Sequence, residues 1–207
     1  MDTRVLHKGE VFERVFVNEP EVDLHIVQEA GSRVKIGIVS NDLKQPQTTS
    51  NKITVEQAGE GCETEIYVLA FLRGDEQLTT ETHVKHAVGG GKSNQLIKYV
   101  LDDNARGYFI GDLKIAPDAQ KTEAHQTNKN LVLSETAQMR TRPQLEIYAD
   151  DVQATHGAST GQLDEAALFY MQQRGIGKQK ARQLLVNAFM QEILDLLSID
   201  SVDGVIQ

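Results

Sequence analysis

Short apolar runs alternate with polar residues along the first three-quarters of the chain. Within a run every second residue is Val, Ile or Leu, and Gly, Asn and Asp separate the runs. A period of two places the apolar residues on one face of a β-strand. The pattern therefore predicts strands up to about residue 155. Their apolar faces comprise Val22, Leu24 and Ile26; Val34, Ile36 and Ile38; Ile53 and Val55; and Leu145 and Ile147.

Clusters of turn-forming residues separate these strands. They lie at 30–32, 40–42, 58–61, 73–75, 89–91 and 102–104. No repeat with a fixed period is evident, which weighs against a solenoid, although irregular β-helices tolerate turns of unequal length. The pattern alone therefore predicts an all-β domain and leaves sandwich, barrel and solenoid open.

The pattern changes near residue 162, where helical spacing begins. Asp164 is expected to cap a short helix over 165–173, and Gly175 is expected to follow its end. A longer amphipathic helix comes next. Its predicted apolar face consists of Ala181, Leu184, Leu185, Ala188, Phe189, Ile193, Leu196 and Leu197. Residues 200–207 are expected to form a frayed tail.

Charge and cysteine content narrow the function classes. The 207 residues carry a formal net charge of -9, which disfavours nucleic acid and anionic membranes as partners because both are polyanions. The single cysteine, Cys62, permits no intramolecular disulfide and favours a reducing, cytoplasmic location. No apolar run reaches the roughly 18 residues that a membrane-spanning helix needs.

Two short motifs resemble known binding sites but lack a feature that each site requires. Residues 89–93 read GGGKS, but the phosphate-binding loop requires a glycine where this chain has His86. A plain turn is the better prediction. His83 and His86 are three apart in a strand region, so their side chains should point to opposite faces and cannot hold one metal ion. Both are expected to be half-exposed.

The common enzyme signatures are absent from the sequence. It contains no paired-cysteine motif, no nucleophile elbow and no His-Glu-x-x-His. Asp150 and Asp151 are adjacent and fit a solvated turn better than an acid–base pair. Cys62 has no neighbouring cation in sequence and is expected to be an inert thiol. A non-enzymatic role is therefore favoured.

Three segments in the second half carry a family resemblance. Residues 126–135 read QTNKNLVLSE, residues 142–152 read RPQLEIYADDV, and residues 156–158 read HGA. Together with matching positions as far as residue 192, they resemble the C-terminal half of SufD in the SufB/SufD family of iron-sulfur cluster assembly proteins. Residues 1–90 fit the family only in their β character.

The resemblance implies a fold and a role. Residues 1–160 would form a right-handed parallel β-helix core domain, and 161–207 a C-terminal helical domain. Family members act as scaffolds without a catalytic centre: SufB and SufD pair through their β-helices, and the helical domains dock the SufC ATPase. The residues implied to contact a SufC-like ATPase, here called the docking face, are Phe169, Tyr170, Arg174, Gly175 and Ile176.

The resemblance also suggests one site residue. His156 matches a histidine that the family places near the SufB/SufD interface, where it would take part in holding a nascent cluster; neutral imidazole is a good iron ligand. No stably bound cofactor is implied, only a transient iron-sulfur cluster at the SufB interface. The cysteine of SufB-like chains is missing from 127–130, and Ala154 stands where some relatives have a cysteine.

Length raises a further expectation, because family members usually carry a substantial segment before the β-helix. An uncovered β-helix end exposes unpaired backbone groups, so association with a partner or a second copy, a homodimer, is expected. The residues expected to cap this end are Val11, Phe12, Val15 and Phe16.

Two alternative functions remain. The first is a carbohydrate-active β-helix enzyme, which would need converging carboxylates, whereas Asp112 and Asp118 are expected to be isolated. The second is a self-associating β-helix structural protein, which would leave the amphipathic helices without a purpose.

Overall fold

Two parallel sheets are built by strands that alternate along the chain in the computed structural model, which describes residues 1–41, 43 and 48–199. The six odd-numbered strands form sheet A and the six even-numbered strands form sheet B. The chain therefore winds as a parallel β-solenoid, which confirms the fold implied by the resemblance. The strands are β1 (Asp2–Leu6), β2 (Val11–Val17), β3 (Glu21–Gln28), β4 (Arg33–Ser40), β5 (Thr48–Gln57), β6 (Glu63–Leu72), β7 (Gln77–His86), β8 (Lys92–Leu101), β9 (Arg106–Ile115), β10 (Thr122–Val132), β11 (Gln138–Ile147) and β12 (Val152–Gly161).

Successive coils follow a nearly constant step that the sequence pattern did not reveal. In sheet A, Thr48 pairs with Gln77 and Gln77 with Arg106, a step of 29 residues each time. In sheet B, Lys92 pairs with Glu123, a step of 31 residues. From the second coil onward the step stays between 29 and 32 residues, but in the first coil it is only 22, where Asp2 pairs with Leu24 and Val11 with Arg33. Because the step varies and equivalent positions hold different side chains, no exact repeat appears in the sequence.

One corner of the solenoid reuses the same glycine turn. Gly61 and Gly90 have φ angles of 65° and 71°, a region that side chains rarely adopt. The Gly90 amide donates to the carbonyl oxygen of Gln120 in the next coil at 2.9 Å. The segment at 89–91 is thus a corner turn, as predicted, and not a phosphate loop.

The interior between the sheets is filled by the alternating residues that the sequence predicted. The predicted apolar faces of the strands between residues 22 and 55 are all buried. The last predicted set differs, because Leu145 is half-buried and Ile147 is 43% exposed. Both lie on β11, the outermost strand of sheet A, where no further strand of the described residues covers them.

The two histidines of β7 point to opposite faces, as expected from their spacing. His83 lies on the outer face and is half-buried. The prediction of partial exposure is wrong for His86, whose side chain is completely buried in the interior. The alternation of the strand, rather than the polarity of the side chain, decides its direction.

Two helices follow the solenoid, α1 (Glu165–Gln173) and α2 (Lys178–Leu196). The carboxylate of Asp164 accepts hydrogen bonds from the amides of Ala166 and Ala167, and Gly175 follows the helix with φ of 82°. Both predicted ends of α1 are therefore confirmed. The expected tail at 200–207 lies outside the described residues.

The buried face of α2 is rotated from the one predicted. Ala181, Ile193 and Leu197 are buried as expected, but Leu184 and Leu196 are each 38% exposed. The outer face of sheet B decides which side of the helix is covered. An apolar cluster joins the two elements through Val186, Met190, Ile193, Leu194, Leu197, Tyr67, Leu69, Phe71, Val100 and Leu131. The division into two domains at residue 160 stays a prediction.

A polar clamp reinforces the contact between α2 and sheet B. Lys98 points out of β8, is almost fully buried under the helix, and donates to the carbonyl oxygen of Phe189 at 2.6 Å. Its ammonium also lies 2.6 Å from a carboxylate oxygen of Glu192. Burial lowers the pKa of Lys98, and the hydrogen bond from Lys98 lowers the pKa of Glu192.

The segment expected to cap the first end is instead a strand. Val11, Phe12, Val15 and Phe16 belong to β2, which pairs with β4. Phe12 and Phe16 face the interior and are buried, while Val11 is exposed. Strand pairing, not capping, thus accounts for these side chains.

Candidate functional site

A row of inward-facing side chains crosses sheet B from coil to coil and becomes polar toward its last strand. Register pairing aligns Ile36 with Ile66, Ile66 with Gln95, Gln95 with Gln126, and Gln126 with His156. We call these five residues the interior row. The side chains of the first four residues are at most 1% exposed. The row thus leads from an aliphatic core through two carboxamides to an imidazole.

His156 ends the interior row on β12, the outermost strand of sheet B. Its side chain is exposed because no described strand lies beyond β12 to cover it. Among the described residues, its ring has no hydrogen-bond or ion-pair partner. Both ring nitrogens are therefore available to a group that approaches the open end.

The surroundings of His156 are small or neutral. Ala154 lies two residues earlier on the same inward face, is half-buried and packs against the core. In the neighbouring strand, the carboxamides of Asn128 and Asn130 bind each other at 3.0 and 2.7 Å. The terminal coil thus offers one imidazole, with an alanine where some relatives would have a thiol.

Sequence reasoning missed the two glutamines of the interior row. The segment 122–132 alternates between inward and outward residues, and its inward positions include Gln126, Asn128 and Asn130. Amides at strand positions that should face a core are a detectable signal. Their alignment with His156 was not detectable, because the register spans about thirty residues.

The residues of the docking face lie together on α1 and the turn that follows. Phe169 and Tyr170 are 62% and 60% exposed. Arg174 donates to the Tyr170 hydroxyl at 3.1 Å and lies 5.3 Å from its ring centroid. Gly175 forms the turn, and Ile176 is half-buried. Two large aromatic side chains are thus presented to solvent beside a cation.

A second polar region lies on the outer face of sheet A. Nδ1 of His83 is 2.8 Å from a carboxylate oxygen of Asp112, so the expectation that Asp112 is isolated is wrong. The two residues line a groove of about 330 Å³ together with ion pairs between Lys85 and Glu56 and between Lys114 and Glu146. Each carboxylate is engaged by a basic side chain, which is unfavourable for the paired free carboxyl groups of glycoside hydrolysis.

Cys62 occupies the interior of a corner. Its side chain is fully buried, and its Sγ donates to the carbonyl oxygens of Gly59 and Glu29 at 3.1 and 3.2 Å. A thiol held in this way is inaccessible, as expected for an inert cysteine. Within the described ranges, no three His, Cys, Asp or Glu side chains are grouped so as to hold a metal ion.

Neither of the described helices, α1 and α2, has both the length and the apolar character that a membrane-spanning helix needs.

Comparison with known proteins identifies the family. Residues 22–189 match the SufBD core domain of the SUF system for FeS cluster assembly. The chain is 40% identical over 139 residues to the iron-sulfur cluster assembly protein SufD of Escherichia coli, which covers 67% of this chain and 33% of that protein. It is 32% identical over 155 residues to SufD of Bacillus subtilis, covering 74% and 35% respectively.

A third relative belongs to the same family under a more general name. A SufBD family protein of Synechocystis, named for iron-sulfur cluster assembly, is 37% identical over 154 residues, which cover 74% of this chain and 34% of the relative. The chain spans about a third of the length of the curated relatives it matches. The interior row, the docking face and the strands from β4 onward all lie within the matched core domain. The chain therefore belongs to the SufBD core family of the SUF iron-sulfur cluster assembly system.

Proposed function

We propose that this chain is a non-enzymatic scaffold subunit that pairs with a SufB-like protein through the β-solenoid and docks a SufC-like ATPase through its C-terminal helices. The observation that carries the proposal is the exposed imidazole of His156 at the open end of the interior row. Family membership places the chain in cluster assembly, and the engaged carboxylates of the sheet A groove favour a scaffold over a hydrolase. A reducing, cytoplasmic setting fits the single buried thiol.

His156 would supply one ligand to a transient cluster, not a complete binding site. Neutral imidazole binds iron through a ring nitrogen, and iron-sulfur clusters are held mainly by cysteine thiolates. This chain offers no thiol near His156, since Ala154 lies beside it and Cys62 is buried elsewhere. The remaining ligands would come from the SufB-like partner, so the cluster would form only at the shared interface.

The docking face has the composition of a binding hot spot. Aromatic residues and arginine dominate the energetics of protein interfaces, and here Phe169 and Tyr170 are exposed beside Arg174. The α1 helix is itself anchored by its cap and by buried Leu168, so the aromatic pair is held on a rigid element. A SufC-like ATPase would bury this pair.

The role of His156 is tested by reconstitution with SufB and SufC from the same source. His156→Ala is compared with His125→Ala, which removes another partly exposed imidazole, on the adjacent strand β10. We expect both variants to co-elute with SufB and SufC, and only His156→Ala to lose cluster formation. Failure of the unmodified chain to bind either protein would refute the assembly role. Normal cluster formation by His156→Ala would refute the role of the imidazole.

The docking face is tested by the double substitution Phe169→Ala and Tyr170→Ala. We expect SufC affinity to fall at least about tenfold, because interface aromatics of this kind often contribute more than about 2 kcal/mol. Leu196→Ala, at another exposed apolar position on α2, is the matched control and should leave affinity unchanged. Equal loss in both variants would place the contact elsewhere, and SufB pairing should be unaffected in each.

We further propose that the isolated chain self-associates as a homodimer. The free edges of β11 and β12 present unpaired backbone groups, which favour strand addition. Sedimentation that shows a well-folded monomer without dye-binding apolar surface would contradict this proposal.

A further inference from the structure

The interior row changes from aliphatic side chains to carboxamides at its third and fourth positions. Equivalent positions in earlier coils hold Ile36 and Ile66, which satisfy packing without polar atoms. A buried amide costs free energy unless its donors and acceptors are hydrogen-bonded. Gln95 and Gln126 are buried to 0% and 1% exposure, so packing alone does not explain them.

Gln126 is held so that one of its polar atoms has no partner. Its Nε2 donates to Oε1 of Gln95 at 3.4 Å, which fixes the orientation of the carboxamide. Its Oε1 is buried and accepts no hydrogen bond. Across the interior, a Cβ added to Gly111 would lie 2.5 and 2.6 Å from Nε2 and Oε1 of this amide. The absence of a side chain at Gly111 therefore makes room for the Gln126 carboxamide.

His156 is the neighbour of Gln126 on the adjacent parallel strand. Their Cα atoms are register partners on adjacent strands, which lie about 4.8 Å apart; Gln126 is buried, whereas the His156 side chain is exposed. A neutral imidazole carries one N–H donor and one lone-pair nitrogen. The Gln126 oxygen and the His156 ring thus belong to register-paired residues, each lacks a hydrogen-bond partner among the described residues, and the structure makes no hydrogen bond between them.

We propose that Gln126 is a positioning residue for His156, with its Oε1 accepting a hydrogen bond from the Nδ1–H of the imidazole. When Nδ1 carries the proton and donates it, Nε2 keeps its lone pair for a ligand. Metal-binding histidines usually donate their other ring N–H to a carbonyl or carboxylate, which fixes the tautomer. The purpose of this arrangement rests on the proposed function; the hydrogen bond itself does not.

The tautomer of His156 provides the test. The full chain is labelled with ¹⁵N-histidine, and the Nδ1 and Nε2 shifts of His156 are recorded at a pH where the ring is neutral, with His156→Ala identifying its signals. We expect the Nδ1–H form to predominate. Gln126→Met should shift the ratio about fivefold toward the Nε2–H form that free histidine prefers, as the loss of one net hydrogen bond implies.

Asn128→Leu is the matched control for a lost interior amide. Asn128 lies on the same strand and bonds to Ile97 and Asn130, but its register partner is Ala158. This variant should leave the tautomer ratio of His156 unchanged. If Gln126→Met does not fold, Gln126→Asn decides the same question, because its shorter side chain withdraws the oxygen while keeping the amide.

An equal tautomer ratio in the unmodified chain and the Gln126 variants would overturn the inference and would mean that water satisfies the amide oxygen. An equal shift in Asn128→Leu would also overturn it, since the effect would then be a general loosening of the coil. Because the tautomer is measured without partners, it is independent of cluster assembly. A Gln126-dependent ratio combined with normal assembly by His156→Ala would refute the proposed function and leave this inference intact.

Discussion

The burial of His86 makes the stability of the solenoid depend on pH in a defined window. His86 is fully buried, and burial lowers its pKa from 6.5 to about 4. Above pH 6.5 the ring is neutral in both the folded and the unfolded chain. Between these pKa values the unfolded chain binds a proton that the folded chain does not, so the free energy of unfolding falls as pH falls.

The size of this loss follows from the two pKa values. One unit of pKa difference corresponds to about 1.4 kcal/mol, so the full difference amounts to roughly 3 kcal/mol below about pH 4. Between about pH 7.5 and pH 5, the same linkage relation gives a loss of about 2 kcal/mol. This is a large fraction of the 5–15 kcal/mol, roughly, that stabilises a typical domain.

His86→Gln is the variant that isolates the effect. Register pairing stacks Gln28, Gln57 and His86 at equivalent positions of successive coils, so glutamine already occupies this environment twice. Urea unfolding followed by circular dichroism at about pH 7.5 and pH 5 should show a loss that is about 2 kcal/mol smaller in His86→Gln than in the unmodified chain. His125→Gln, on the outer face, should show no such difference.

Carboxyl groups also titrate near the lower pH, but the pKa of His86 is shifted by burial and not by a carboxylate, so their contribution cancels between the unmodified chain and His86→Gln. If the unmodified chain and His86→Gln lose the same stability over this range, His86 is not held neutral by burial, and the argument fails.

Three further predictions test other parts of the fold. Gly59→Ala should lower the free energy of unfolding by about 3 kcal/mol or more, because its Cβ would lie 2.0 Å from a backbone nitrogen of the preceding coil. Gly157→Ala has open space around it and should change the free energy of unfolding by less than about 0.5 kcal/mol. Equal thermal midpoints of the two variants would contradict this. Glu192→Gln should lower the free energy of unfolding by about 2 kcal/mol, because it leaves the buried Lys98 ammonium with weaker partners. Lys98→Met should lower it by less than about 1 kcal/mol, because the Glu192 carboxylate that it leaves behind is half-exposed to water. Urea unfolding that gives the reverse order would refute this. Asp164→Ala should cost about 1 kcal/mol by the same measurement through loss of the α1 cap, and no change would mean that α1 contributes nothing to global stability.

Features that depend on neighbouring residues in the chain could be predicted from the sequence. The β-strand character, the corner turns and both ends of α1 follow from alternation, from glycine and from a capping carboxylate, each of which acts within a few residues. The family was recognisable because residues 126–135 and 142–158 form contiguous motifs. His156 was singled out by that resemblance, and the structure has it on β12, the outermost strand of sheet B.

Features that depend on distant parts of the chain were decided only by the tertiary structure. The rotation of α2 follows from the surface of sheet B that it covers, so Leu184 is exposed although it fits the helical period. The salt bridge between His83 and Asp112 and the alignment of Gln126 with His156 each join residues about thirty positions apart. Alternation fixes which residues share a strand face, but only the length of each coil fixes which strand lies beside which, and therefore which side chains meet.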